Sequence, residues 1–238
     1  MEIIRDERRI ARLKRVGAYL NFLGMGVLIA GLVLPLIIKD TRIIVFQFLA
    51  IPGGWLLAQA GIYLTHRYFR DPRPDEVLDE ALRKVARDGR MYHYVLPAPH
   101  VLLTPSGPIV FTLKYQVARV YYADGKWKQS GMSLVRRFFG QEGLGNPERD
   151  AQRDLQKLVG FLEKEVQELD EVPVGVMLVF TSKGVDLDAG DSPIPAYHYT
   201  KLKGVFKRTT QGPPLPEESY RLLQAAFDEK AGDLVEDE

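Results

Sequence analysis

The chain has 238 residues, of which 26% are charged, and its formal net charge at pH 7 is +1. Residues 1–70 contain 10 Lys and Arg against 4 Asp and Glu, whereas residues 71–238 contain 22 against 27 and are mildly acidic. This acidic balance disfavours general affinity for nucleic acid phosphates. The absence of cysteine excludes disulfides and thiolate metal sites.

Two apolar runs follow a basic segment at 1–15. They are Val16–Ile38 and Ile43–Thr65, and neither contains Asp, Glu, Lys, Arg or His. A helix of roughly 20 residues crosses a hydrocarbon core of about 30 Å, so each run is long enough to span a membrane. Only four residues separate them, which predicts an antiparallel hairpin with transmembrane helices at 16–38 and 43–66. The alternative is a buried helical hairpin of a soluble protein.

Positive charge is concentrated before the first apolar run and after the second, at the open end of the predicted hairpin. Six Lys and Arg lie in 1–15 and three arginines lie in 67–73, whereas the connecting loop 39–42 holds two cations. Lys and Arg near the ends of spans stay on the cytoplasmic side of a membrane. The pattern therefore predicts a multi-pass protein of the cell (inner) membrane, with both termini and the soluble domain in the cytoplasm.

The spans contain small residues and amides but no ionisable group, so they are predicted to act as an anchor. Gly26 and Ala30 have the small-xxx-small spacing that indicates close helix contact, within the hairpin or with a partner. Ordinary glycine-rich membrane sequence explains them equally well. Amides are costly in hydrocarbon and are expected to face another helix. The three in the spans are Asn21, Gln47 and Gln59.

The rest of the chain is predicted as one cytoplasmic domain at 71–207, followed by a C-terminal helix and acidic tail at 208–238. Hydrophobic periodicity predicts alternating helices and strands. They are a helix at 75–88, strands at 92–96, 101–103, 109–115, 118–122 and around 127, a helix at 146–169, a buried strand at 174–181, a short strand at 197–199, a short helix at 201–207 and a last helix at 217–230. Residues 130–145 are predicted as a loop. The fold class is α/β (α+β), with a mixed sheet and flanking helices.

Four stretches resemble the nuclease-related domain family, known as NERD, in the order of that family's motifs. The first is His100–Lys114, with an apolar strand, Pro-Ser-Gly, a second apolar strand and a final lysine. The others are the Asp-Gly-Lys-Trp hairpin at 124–127, the Asn-Pro helix start at 146–147 and the late apolar strand at 172–181. The resemblance covers roughly 75–207. It implies a restriction-endonuclease-like fold and, in active members, metal-dependent phosphodiester hydrolysis.

The resemblance also implies where a catalytic site would lie. The family's Glu-x-Lys corresponds to Thr112-x-Lys114, so its lysine is present and its glutamate is not. The family's aspartate before His100 is Pro99 here. Neither proline nor threonine supplies the anionic oxygens that Mg²⁺ requires. The chain is therefore predicted to be catalytically inactive, without a cofactor or metal.

Three residues are candidate remnants of that site. Lys114 is one, and Asp150 is another because it takes the place of the glutamine expected on the Asn-Pro helix, with Gln152 two residues on. The acid expected on the first helix is Glu76 or Asp75. Each also has a purely structural interpretation, because acids are favoured at the start of any helix and a lysine suits the solvated face of a strand.

Two main functions follow as hypotheses. The first is a membrane-anchored, non-catalytic interaction module or accessory subunit of a membrane complex, with membrane lipid and other membrane proteins as partners. The alternative is an active membrane-bound nuclease on DNA or RNA, which alone would need Mg²⁺. Binding of nucleic acid without metal is disfavoured by charge unless four cations on one helix form a patch rather than a solvated face. They are Arg83, Lys84, Arg87 and Arg90.

Overall fold

The structure is a computed structural model that describes residues 1–38, 40–131, 143–169, 172–209 and 212–235, with only the backbone described at 208–209. Most of the predicted loop at 130–145 and the end of the acidic tail lie outside these residues. The described chain divides into two compact units. Residues 8–73 form one, here called the hairpin unit. Residues 1–7 and the described residues from 74 onward form the other, here called the sheet unit.

The hairpin unit is built from two long helices, α1 (Glu7–Ile37) and α2 (Thr41–Tyr68). Asp40 caps α2 by accepting a hydrogen bond from the backbone nitrogen of Arg42 at 2.8 Å. Only 11% of the most apolar stretch of each helix is buried. The large apolar side chains that are exposed among the described residues all lie between 16 and 69. Both helices are thus long and apolar enough to cross a membrane, as the sequence predicts.

Small residues line the contact between α1 and α2. A Cβ atom added at Gly24 would lie 2.7 Å from the backbone nitrogen of Ala58 and 2.9 Å from the carbonyl oxygen of Gly54, which leaves room for glycine alone. Asn21 Nδ2 donates a hydrogen bond to Thr65 Oγ1 at 2.9 Å, so this amide faces the other helix as predicted. The buried glycines of the hairpin are Gly17, Gly24, Gly31, Gly54 and Gly61.

The predicted small-xxx-small pair does not make this contact. A Cβ atom at Gly26 would meet nothing within 4 Å, whereas one at Gly31 would lie 2.9 Å from the Cβ of Ala50. Gly26 is two residues from Gly24 and therefore lies on nearly the opposite side of a helix with 3.6 residues per turn. The hairpin contact follows a seven-residue repeat of glycines instead.

The sheet unit contains nine strands and four helices among the described residues. The strands are β1 (Glu2–Arg5), β2 (Arg90–His93), β3 (His100–Thr104), β4 (Gly107–Lys114), β5 (Ala118–Ala123), β6 (Lys126–Ser130), β7 (Gly175–Phe180), β8 (Val185–Asp188) and β9 (Ala196–His198). The helices are α3 (Pro74–Leu82), α4 (Pro147–Glu165), α5 (Leu202–Thr209) and α6 (Glu217–Ala231).

The larger sheet has the strand order β1-β2-β3-β4-β7-β9, and the smaller sheet has the order β6-β5-β8. In the larger sheet β3 is antiparallel to both neighbours, and the remaining pairs are parallel. Five strands therefore point the same way, and their carboxyl ends meet at one edge. The mixed sheet with flanking helices agrees with the predicted α/β class.

Strand β1 was not predicted. Residues 2–5 belong to a segment whose composition predicts only a basic membrane flank. They nevertheless pair in parallel with β2, from Glu2 opposite Arg90 to Arg5 opposite His93. Ile4 is 2% exposed and is part of the apolar core. The hairpin is thus an insertion between the first strand of the sheet unit and α3.

Helices cover both faces of the larger sheet. Leu78 and Leu82 of α3 join Phe206 of α5 in one apolar cluster. Leu158 of α4 and Leu223 of α6 belong to the cluster on the other face. Successive side chains of β4 point to alternate faces of the sheet, as the pleat of a strand requires.

The C-terminal helix α6 is tied to the sheet by polar and aromatic contacts. Arg90 is bound to Glu2 at 2.6 Å through its Nε and also to Asp228. Tyr92 Oη donates to Asp228 Oδ1 at 2.8 Å, and the Tyr92 ring meets Phe227 edge-on. Burial, and then Asp228, raise the pKa of the Tyr92 hydroxyl, which therefore stays protonated. Arg90 is buried, so it does not join Arg83, Lys84 and Arg87 in the surface patch that binding of nucleic acid without metal would need.

Candidate functional site

The remnant residues predicted on β4 and α4 come together at the carboxyl edge of the sheet. Lys114 is the last residue of β4 and is 5% exposed. Its Nζ donates to Asp150 Oδ2 at 2.7 Å and to the carbonyl oxygen of Leu144 at 3.3 Å. The start of α4 fixes Asp150 here, because Asn146 caps the helix by accepting from the nitrogen of Arg149 at 3.1 Å. We call this group, with its neighbours Thr112, Arg153 and Asp154, the lysine cluster.

Asp154, one helical turn after Asp150, supplies a second carboxylate to the lysine cluster. Thr112 Oγ1 donates to Asp154 Oδ2 at 3.0 Å, so the residue in the place of the family's glutamate serves as a donor. Arg153 lies 3.1 Å from Asp150 Oδ1 and 3.8 Å from Asp154 Oδ1. Burial raises the pKa of the Asp154 carboxyl, against the lowering effect of the Thr112 hydrogen bond.

This donor set does not fit a catalytic divalent cation. Mg²⁺ takes near-octahedral oxygen ligands, which it draws from carboxylates and water. Here Asp150 is engaged by Lys114 and Arg153, and Asp154 is engaged by Thr112. Across the described residues, no group of three or more His, Asp or Glu is arranged to hold a metal ion. The cluster can neutralise buried charge but offers no open pair of carboxylates.

The raised pKa of Asp154 gives a testable pH dependence. The unfolded chain loses this proton near pH 4 and the folded chain loses it later, so stability falls as pH rises from about 4 through the raised pKa. Asp154→Asn removes this loss and can still accept from Thr112. We expect the variant to melt at a higher temperature than the native chain at pH 7, with a difference that shrinks towards pH 4.

Thermal unfolding of the full chain in detergent at a series of pH values measures this effect. Asp186→Asn is the control, because the side chain of Asp186 is 78% exposed and lies on the smaller sheet. It should not change the pH profile. A native chain as stable as Asp154→Asn at pH 7 would contradict the assignment.

A second polar cluster, here called the histidine cluster, lies on the opposite face of the larger sheet. Asp79 Oδ1 lies 2.8 Å from His93 Nε2, and His93 Nδ1 lies 2.8 Å from His100 Nδ1. Arg5 donates to Asp79 Oδ2, and its Nε lies 3.0 Å from Asp75 Oδ2. The cluster connects the last residue of β1 with α3, β2 and β3.

The histidine cluster is a structural feature rather than a reaction site. With Asp79 ionised, His93 donates from Nε2, so its Nδ1 accepts from His100. Asp75 and His93 are 0% exposed and His100 is 7% exposed, so a substrate has no access to the ring nitrogens. Arg5 compensates the two buried carboxylates, as buried charge requires.

The structure separates the predicted candidates by face. Lys114 and Asp150 are in direct contact, whereas Glu76 is on α3 and Asp75 belongs to the histidine cluster, on the other side of the sheet. Gln152 is exposed on α4. Sequence reasoning missed Asp154, although its spacing of four from Asp150 was a readable signal. Sequence reasoning also missed the contacts of His93 in the histidine cluster, because only the register of β2 and β3 reveals them.

Comparison with known proteins adds no relative: no family model, no curated protein and no solved structure matches the chain. The likeness to the nuclease-related domain therefore rests on the four motifs alone.

Proposed function

We propose that this chain is a multi-pass protein of the cell membrane whose cytoplasmic domain is a catalytically inactive relative of the nuclease-related domain. In this proposal the domain has a restriction-endonuclease-like fold and serves as an interaction module or accessory subunit of a membrane complex. Its partners are membrane lipid and other membrane proteins. It needs no cofactor.

Chain topology supports the membrane assignment. Strand β1 precedes the hairpin and β2 follows it, yet the two strands pair with each other. The chain must therefore leave and re-enter the same compartment, which requires an even number of spans, and two candidate helices are present. Arg8, Arg12 and Arg15 lie before the first apolar run, which favours the cytoplasm for that compartment.

Element order supports the family assignment. The series α3-β2-β3-β4-β5-β6-α4-β7 contains an antiparallel meander, β2-β3-β4, which the hairpin of β5 and β6 separates from a helix and a strand parallel to β4. Lys114 ends the strand that carries the motif Thr112-x-Lys114, and α4 begins at the Asn-Pro motif. If the β3–β4 pairing continued two residues further, Pro99 would lie opposite Thr112, so the two positions at which the resemblance expects acids would be neighbours.

The ion pair between Lys114 and Asp150 carries the inactive assignment. A catalytic lysine must be free to position the attacking water, and a metal needs unshared carboxylates. At 2.7 Å the two charges neutralise each other in a nearly buried site. The alternative of an active nuclease draws its support from Asp154, which brings a second carboxylate within reach of the same cluster.

Purified full-length chain in detergent is expected to cleave neither single-stranded nor double-stranded DNA or RNA in the presence of Mg²⁺ or Mn²⁺. Lys114→Ala serves as the control for a contaminating nuclease. Cleavage that Lys114→Ala abolishes would favour the active alternative, in which Asp150 and Asp154 replace the missing acids. Cleavage retained at full level in Lys114→Ala would be contamination.

The interaction role is tested on the same chain extracted from its native membrane in mild detergent. A complex larger than the 27.0 kDa chain is expected, as judged by its mass after the detergent contribution is removed. A lone monomer would contradict an accessory subunit even if the chain is inactive.

A further inference from the structure

One face of α1 carries an uninterrupted exposed stripe that changes from basic to apolar. Its members recur at alternating intervals of four and three residues, which keeps them on one side of a helix. Every one of them is exposed, and Gly26 leaves a notch where its Cβ would meet nothing within 4 Å. In chain order the stripe consists of Arg8, Arg12, Arg15, Tyr19, Phe22, Gly26, Ile29 and Val33.

The three arginines of the stripe have no counter-ion among the described residues. Arg8, Arg12 and Arg15 make no ion pair or hydrogen bond within the part of the chain that the structure describes, unlike Arg5, which binds Asp75 and Asp79. They span seven residues, or about 10 Å along the helix at 1.5 Å per residue. Such a row of guanidinium groups matches an anionic phosphate group, to which Arg donates in a bidentate manner.

The apolar part of the stripe, which begins at Tyr19, suits the acyl chain of a lipid. Tyr19 is 73% exposed and Phe22 is 71% exposed, directly after the last arginine of the stripe. Tyrosine favours the membrane interface, where its ring is amphipathic. Because the cationic and apolar parts follow each other on one face, their order matches the order of head group and acyl chain in a phospholipid.

We propose that this stripe is a selective site for an anionic phospholipid, with Arg8, Arg12 and Arg15 on the head group and Tyr19 and Phe22 along the chain. The inference rests on the proposed membrane anchor. A polynucleotide is the less favourable ligand, because three phosphate contacts give only weak binding and the stripe continues into an apolar run. General attraction of a basic flank to a negative surface would not depend on which face of the helix holds the cations.

The test uses the full chain in phosphatidylcholine bilayers with spin-labelled phosphatidylglycerol or phosphatidylcholine as the probe. The native chain should hold the anionic probe in the motionally restricted fraction about fivefold more strongly than the neutral probe. The variant Arg8→Gln/Arg12→Gln/Arg15→Gln should reduce the ratio to about one. A second variant, Arg12→Glu alone, should reduce it at least twofold, so the test does not depend on the triple variant folding.

The matched control removes three exposed cations from the sheet unit, as Arg83→Gln/Lys84→Gln/Arg87→Gln. It makes the same change in net charge and should keep the native ratio. A native ratio near one, or equal loss in the control, would overturn the proposal. So would an unchanged lipid ratio in the stripe variant together with loss of its binding to single-stranded RNA.

The anchor is tested separately by flotation with vesicles of phosphatidylcholine alone. A chain that does not float contradicts the anchor and this inference together. A chain that floats but shows no preference for the anionic probe contradicts this inference only.

Discussion

A chain that begins at Pro74 is expected not to fold cooperatively, although it keeps every element that the sequence predicts for the soluble domain. It lacks β1, which pairs with β2 along four residues. Loss of Arg5 removes the cation that binds both Asp75 and Asp79 in the interior, which costs about 3–5 kcal/mol. Loss of Ile4 from the core adds about 2 kcal/mol or more. The sum approaches the whole stability of a typical domain.

The decisive comparison is a chain in which residues 8–73 are replaced by a flexible linker of about eight Gly and Ser residues. Because Arg5 lies 3.0 Å from Asp75, the two ends to be joined are close within the sheet unit. This chain should be soluble without detergent and show a single sharp thermal transition, whereas residues 74–238 should not. Equal melting temperatures for the two chains would contradict the role of β1. Arg5→Ala in the linked chain isolates the electrostatic share of the effect.

Gly24→Leu is expected to separate the two helices of the hairpin. Even a single methyl group at this position would lie 2.7 Å from the backbone nitrogen of Ala58, and a backbone atom cannot move aside as a flexible side chain can. Overpacking of this kind costs about 3 kcal/mol. Distances between spin labels placed at Tyr19→Cys and Tyr63→Cys measure the effect, since both side chains are exposed and the chain has no other cysteine. The distance distribution should widen and shift to larger values.

Gly26→Leu is the matched control for this substitution. It makes the same change two residues along the same helix, where the added side chain meets open space. It should leave the label distances unchanged. A widened distribution in Gly26→Leu equal to that in Gly24→Leu would show that leucine at any glycine of α1 disturbs the hairpin, and the proposed close contact would be wrong.

Patterns within a single element could be read from the sequence. The two apolar runs predict α1 and α2, and the Asp-Gly pair at 124–125 predicts the turn between β5 and β6. At that turn φ is +54° at Asp124 and +70° at Gly125, which is the geometry that favours this residue pair. Each of these signals comes from neighbouring residues and needs no knowledge of the rest of the fold.

Contacts between distant segments could not be read in this way. Residues 2–5 have a composition that suits a membrane flank, and their pairing with residues 90–93 depends on the whole sheet. Arg90 shows the same limit, because it has the sequence context of a surface cation and lies buried against Glu2 and Asp228. The helix predicted at 75–88 ends at Leu82, so local propensity also overestimated its length.

The same distinction between local signals and distant contacts applies to the candidate site. Lys114 and Asp150 were predicted as remnants from the motifs, and the structure places them in contact. Nothing in the sequence indicated that this contact would be an ion pair rather than an open site. Asp79 and His93 belong to no motif, and the motif that begins at His100 does not connect it with them, because only the register of β2 and β3 aligns the two rings.

The insertion of the hairpin between β1 and β2 also sets an order for biogenesis. At about 5–20 residues per second, the ribosome needs roughly 4–17 s to make residues 6–89, which separate the two strands. Throughout that interval residues 2–5 have no partner strand, while both spans of the proposed anchor are being synthesised. The edge of β2 is closed only when β1 pairs with it. Completion of the sheet therefore comes after synthesis of the whole hairpin, and until β2 is made residues 2–5 have an open strand edge that the proteases and chaperones of the cell can reach.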